Sequence, residues 1–138
     1  MCSYSFRCHR AVVPAKNITE VYAVNALAFH PRYEGVLATA GSDGTMQVWD
    51  LLAKARLESY SISETRTGMA TGFGGKDTTS KSTISAAAFS HDGEILAYGV
   101  SYDWSKGFGG RSDNIEKGVM VHKLVQGECQ PKKMIRKQ

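Results

Sequence analysis

The chain has 138 residues, 42% of them hydrophobic and 22% charged, with a net charge of +4; this suits one globular domain and excludes a disordered chain. No run of about 18 apolar residues is present to span a membrane as a helix, and the polar start MCSYSFRCHR excludes a signal peptide. The three cysteines, Cys2, Cys8 and Cys129, are too few and too scattered for a disulfide framework or a zinc set, and they suit a reducing compartment.

In chain order, residues 4–10 read as a strand standing alone. Val24–Phe29 reads as a second strand and residues 36–40 as a third. Ser42-Asp43-Gly44 is a tight turn, because Asp-Gly accepts the positive φ angles that a hairpin needs. Residues 46–50 and 54–62 complete a four-stranded unit. A Thr-, Gly- and Ser-rich stretch over 64–81 reads as an insertion. The pattern then repeats. ISAAAFSHDGEILAYGVSYD from Ile84 to Asp103 parallels VNALAFHPRYEGVLATAGSDGTMQVWD from Val24 to Asp50, and it resumes at GVMVHKL after a second loop. Repetition of one small β unit points to a radial, multi-blade architecture.

Alanines crowd the first strand of each unit: Ala26 and Ala28, then Ala86, Ala87 and Ala88. Alanine is a weak strand former, but it fits where wedge-shaped blades converge; a short helical turn is the rival reading. Gly-Phe-Gly-Gly occurs at 72–75 and 107–110. Neither is a phosphate loop, since Lys76 is followed by Asp77 and Ala70 holds the place of the first glycine. The tail carries Lys132, Lys133, Arg136 and Lys137 against Glu128, which suits contact with nucleic acid or an acidic protein, or a solvated end.

Gly41-Ser42-Asp43-Gly44 followed by Val48-Trp49-Asp50 resembles the ending of a WD repeat. That resemblance implies a structural hydrogen-bond set of His9, Thr39, Asp43 and Trp49. In the second unit Tyr98 and His122 replace the hydroxyl and the Trp, so that blade is degenerate. Phe6-Arg7-Cys8-His9-Arg10, Tyr22-Ala23-Val24-Asn25, Ala28-Phe29-His30-Pro31 and Ser101-Tyr102-Asp103-Trp104-Ser105-Lys106-Gly107 follow in order. Together they are similar to the C-terminal part of the RNA-export WD-repeat family of the nuclear pore. The sister mitotic-checkpoint WD-repeat family shares the first two strings but not Asp-Trp-Ser-Lys-Gly, and it stands as the alternative scaffold.

The resemblance implies an all-β, incomplete WD-repeat β-propeller holding about the last two blades. Its parts are an outer strand of a preceding blade (1–10), a complete WD blade (20–63), a flexible insertion (64–82), a degenerate last blade (83–125) and a basic tail (126–138). It implies a non-enzymatic module at the nuclear pore and envelope, shuttling to the cytoplasm. The implied partner is a GLEBS-type peptide of an FG nucleoporin, with RNA as a second expected ligand and with no cofactor, metal or membrane span. Arg10, Phe29, Trp104 and Lys106 match family positions near a rim that accepts acidic or apolar segments. Phe29 ends a strand, as Phe89 does in the second unit, a place that suits a core side chain better. Cys8 with His9, and His91 with Asp103, are weak catalytic pairs with no nucleophile motif around them. Two blades cannot close a ring, so the chain is expected to be a fragment or to need further blades or another chain.

Overall fold

In the computed structural model, residues 5–62, 82–111 and 117–131 are described. The insertion over 64–81, the first Gly-Phe-Gly-Gly and the tail cations at 132–137 lie outside them. Two antiparallel blades stand side by side. Blade 1 runs β3 (Val24–Phe29), β4 (Val36–Gly41), β5 (Thr45–Asp50) and β6 (Ala55–Ser61), in that spatial order. Blade 2 runs β7 (Thr83–Phe89), β8 (Ile95–Ser101) and β9 (Gly118–Lys123). The alanine-rich runs are strands, not helical turns.

The core lies between the blades. Strand alternation sends Val36, Ala38 and Ala40 of β4, with Met46 and Val48 of β5, to one face. They meet Ile84, Leu96, Tyr98 and Val100 of blade 2 in one buried cluster. Blade 1 offers mainly small side chains there and blade 2 larger ones, so the two nest. Each fully buried aliphatic of this size contributes about 1.5–3 kcal/mol.

The lone strand expected at 4–10 is not seen among its described residues. Residues 5–8 carry no regular structure, and a strand starts only at Arg10. There β1 (Arg10–Val13) pairs with β2 (Ile18–Val21) as a separate hairpin. Val12, Val13, Ile18 and Val21 favour extended backbone, and a turn at Pro14–Lys16 ends on Asn17 in the left-handed region. The tail also begins later than residue 126. A turn over 127–130 folds back, Glu128 accepts the Val125 N–H, and Cys129 is buried in the core. Burial, then Glu128 and Glu58, push the Cys129 thiol up to about 11.

One histidine ties the blades at the end of β3. The His30 ring stacks on Tyr33 at 4.7 Å and lies against Phe89 of blade 2 at 4.9 Å. Its Nδ1 accepts the N–H groups of Arg32 and Tyr33, both at 3.1 Å. Its Nε2 then carries the proton and donates to the Gly93 carbonyl at 3.1 Å. Gly93 has φ +69°, and a Cβ there would strike the ring, so no other residue fits.

A proton on Nδ1 would break two of these bonds. Burial lowers the His30 pKa below its ordinary value, with the Gly93 bond opposing and Arg32 reinforcing the shift. Neutral His30 therefore stabilises the fold above its unfolded value of about 6.5, and that contribution is lost as the pH falls from there through the folded-state value. Urea denaturation from pH 8 down to pH 5 is expected to show the stability advantage of the wild type over His30→Asn shrinking with acidification. An advantage independent of pH would contradict this role.

Candidate functional site

The chain crosses one rim of the two blades through residues 22–25. The Tyr22 N–H donates to the His9 carbonyl at 3.0 Å, and the Ala23 N–H to the Ser42 hydroxyl at 2.9 Å. Asn25 Nδ2 donates to the Ile84 carbonyl at 2.9 Å and reaches Asp103 at 3.5 Å. This short segment thus links the His9–Arg10 corner, the turn after β4 and the loop after β8.

Beneath the rim, four side chains form one hydrogen-bonded chain. The Asp43 carboxylate can only accept, so His9 Nδ1 donates to it at 3.0 Å. With the ring neutral, His9 Nε2 accepts from the Thr39 hydroxyl at 2.9 Å. The Thr39 oxygen in turn accepts Trp49 Nε1–H at 3.0 Å. Thr45 closes the far end, its N–H and hydroxyl both bonding to Asp43. Burial works to raise the Asp43 pKa, but the bonds from His9 and Thr45 outweigh it and hold the carboxyl below its usual range. Every polar group in this chain finds a partner, which is what makes its burial tolerable.

Gly41 makes room for that chain. A Cβ on Gly41 would stand 2.6 Å from His9 Nδ1 and 2.9 Å from the Ala23 carbonyl. Nothing in the residue spacing signals this close approach.

Above the rim, the loop after β8 is braced from within. The Tyr102 hydroxyl donates to the Gly107 carbonyl at 2.8 Å and accepts the Lys106 N–H at 3.1 Å. The Gly107 N–H donates to the Trp104 carbonyl at 2.8 Å. Asp103 accepts the Ser105 N–H at 3.1 Å. Burial would raise the Asp103 pKa, yet the Ser105 and Asn25 bonds hold it low. Trp104 sits in the left-handed region at φ +59°, 59% exposed, with its ring 5.7 Å from that of Tyr102. An L-residue in that conformation persists only where its surroundings hold it. An aromatic face is thereby presented to solvent, with Lys106, Phe108 and Arg111 exposed around it.

Trp104 and Lys106 lie together on the exposed loop after β8, whereas Arg10 begins the separate β1–β2 hairpin, paired with Val21. Phe29 does not reach that rim. Phe29 ends β3 while Asn25 is its second residue, a separation of about 13 Å along a strand. Phe29 is not a core residue either, being 68% exposed, whereas its counterpart Phe89 packs on the core. Sequence reasoning missed Tyr102 as the brace and Asn25 as the link to the second blade. His91 lies in the turn after β7, at the far end of blade 2 from Asp103. Among the described residues, no group of three or more His, Cys, Asp or Glu is placed to hold a metal.

Gly41→Ala is expected to displace His9 and lower stability by about 1–3 kcal/mol in urea denaturation, as overpacking against a rigid neighbour does. Asp43→Ala should cost a similar amount, since it strands the donors of His9 and Thr45. Wild-type stability in both variants would show the chain to be dispensable.

Residues 1–50 match the family described as WD domain, G-beta repeat. The chain is 42% identical, over 98% of its length, to mRNA export factor GLE2 of Chaetomium thermophilum. It is 41% identical over 94% to the Poly(A)+ RNA export protein of Schizosaccharomyces pombe. It is 39% identical over 76% to Protein Rae1 of Drosophila melanogaster. It spans 32%, 31% and 25% of these relatives, about a third of the first two. The repeat sequence, the two blades and the hydrogen-bonded Asp–His–Thr–Trp chain agree with that family match, and the chain has the all-β fold of WD-repeat propeller blades.

Proposed function

We propose that this chain is a non-enzymatic binding module of mRNA export, acting at the nuclear pore and envelope and shuttling to the cytoplasm. Its partner is a GLEBS-type peptide of an FG nucleoporin, bound at Trp104 and Lys106, with Arg10 as a further contact. The observation that carries this reading is the braced, outward Trp104. A large aromatic held rigid beside cations suits an extended segment with acidic and apolar residues, because little side-chain freedom is lost on binding. The names of two of the relatives, an mRNA export factor and a Poly(A)+ RNA export protein, support the pathway.

A binding role is also favoured over catalysis. Burial, then Asp43, raises the Cys8 thiol above its ordinary value, with Arg10 opposing, which leaves it a poor nucleophile. Both ring nitrogens of His9 are engaged in the hydrogen-bonded chain. The Asp-Trp-Ser-Lys-Gly string favours the export reading over a mitotic-checkpoint scaffold. RNA contact through the tail cations is a secondary expectation, and it should weaken steeply with salt.

Size-exclusion chromatography with light scattering, run on the chain mixed with a GLEBS-type peptide, tests the assignment. A defined complex is expected. Trp104→Ala with Lys106→Glu should weaken it at least tenfold without unfolding the chain, and Tyr102→Phe should weaken it less by loosening the loop. A folded chain that ignores the peptide, or variants that bind as the wild type does, would remove the rim from the site.

A further inference from the structure

We propose that the Gly-Phe-Gly-Gly motif at 107–110 is a second anchor of the peptide site, holding Phe108 beside Trp104 so that an extended acidic segment sets two alternate apolar residues on the two rings. The proposal rests on the peptide reading above and adds the spacing that a partner must have. The motif is no phosphate loop by its sequence, yet its backbone is closely fixed. Gly107 has φ +60° and ψ −162°, a region that side chains exclude. A Cβ on Gly110 would strike the Tyr102 hydroxyl and stand 2.5 Å from Lys106 Cβ. Glycine is therefore needed at both ends of the motif.

Between these glycines Phe108 starts a 3-10 turn, Phe108–Gly110. The Gly110 N–H donates to the Gly107 carbonyl at 3.2 Å, and the Arg111 N–H to the Phe108 carbonyl at 3.1 Å. The Tyr102 hydroxyl, which braces the Trp104 side of the loop, also bonds the Gly107 carbonyl. The backbone under Phe108 is thus held by the same tyrosine as that under Trp104, while the Phe108 side chain is 76% exposed. A single exposed aromatic is ordinary on a protein surface, but two on one braced loop make a contact surface.

The distance between the rings follows from the turns. The Gly107 N–H donates to the Trp104 carbonyl at 2.8 Å, so the chain turns over residues 104–107. Such a turn holds its end Cα atoms within about 7 Å, and one more residue adds about 3.8 Å. Trp104 and Phe108 therefore stand within about 11 Å of each other at Cα. An extended chain turns alternate side chains to one side, about 7 Å apart. That step fits the two rings, whereas adjacent residues point to opposite sides. Charge selects the partner further. Lys106 and Arg111 are exposed and, among the described residues, neither is in an ion pair. Asp103, at the foot of the loop, is engaged by the Ser105 N–H at 3.1 Å and by Asn25 at 3.5 Å. A carboxylate of the partner thus meets two open cations beside the rings.

Fluorescence anisotropy of the full chain with a labelled GLEBS-type peptide tests the second anchor. Phe108→Ala is expected to weaken binding about tenfold, as loss of an aromatic anchor does, and Arg111→Glu should weaken it less. Phe108→Tyr should bind as the wild type does. Gly110→Ala, which displaces Tyr102 and Lys106, should weaken binding more than Phe108→Ala, with circular dichroism showing every variant folded. Alanine substitution along the peptide then gives the spacing. The position coupled to Phe108 and the position coupled to Trp104 should lie two residues apart. Coupling at adjacent positions, or a Phe108→Ala chain that binds normally while Trp104→Ala does not, overturns the second anchor and leaves the peptide reading standing. A folded wild type that ignores the peptide overturns both. Phe108-dependent binding of a labelled single-stranded RNA, with no binding of the peptide, would give the anchor to nucleic acid and overturn the proposal as well.

Discussion

Blade-on-blade nesting is the constraint on which the rest of this structure depends. A twisted antiparallel sheet buries a face only if its neighbour is shaped to receive it. Here the receiving face is made of Ala26, Ala38 and Ala40, and the entering one of Ile84, Leu96 and Tyr98. Larger side chains on both would hold the sheets apart and smaller ones would leave voids, either of which is costly in a close-packed interior. The alanines are thus in strands because of what lies opposite them, against their own weak preference.

Around that apolar contact, polar groups fix the relative position of the blades. His30 ties one end through Gly93, and Asn25 ties the other through Ile84 and Asp103. The Asp43–His9–Thr39–Trp49 chain does related work on the other face of blade 1, where it anchors residues that precede the blade. Apolar burial is tolerant of small slides. Hydrogen bonds with defined partners are not, so these ties give the rim a single geometry. That geometry is what turns Trp104 outward.

Much of the fold was legible in the sequence. Both blades follow from the repeat, the Asp-Gly turn and the period-two alternation, because those signals are local and blade strands are short. The four residues of the hydrogen-bonded chain followed from family resemblance and lie together. What escaped reading was set at a distance. Phe29 and Phe89 look alike in sequence, yet only Phe89 has a blade against its side of the sheet. Gly41 looks like an ordinary turn residue until the His9 ring, 32 positions earlier, is placed against it. The hairpin of β1 and β2 was hidden because its strands are only four residues long and flank a proline. The burial of Cys129 depends on a turn that no periodicity announces.

The ties at Asn25 and His30 also bear on how the sequence between the blades can change. Asn25–Ile84 and His30–Gly93 join residues 59 and 63 positions apart. The chain between the blades is therefore a closed loop whose ends are held on both sides. The entropy of closing such a loop grows only with the logarithm of its length, about 0.6 kcal/mol for each doubling. Insertions or deletions between β6 and β7 therefore draw little on stability. A longer or shorter connection there would leave the nested blade faces and their ties as they are.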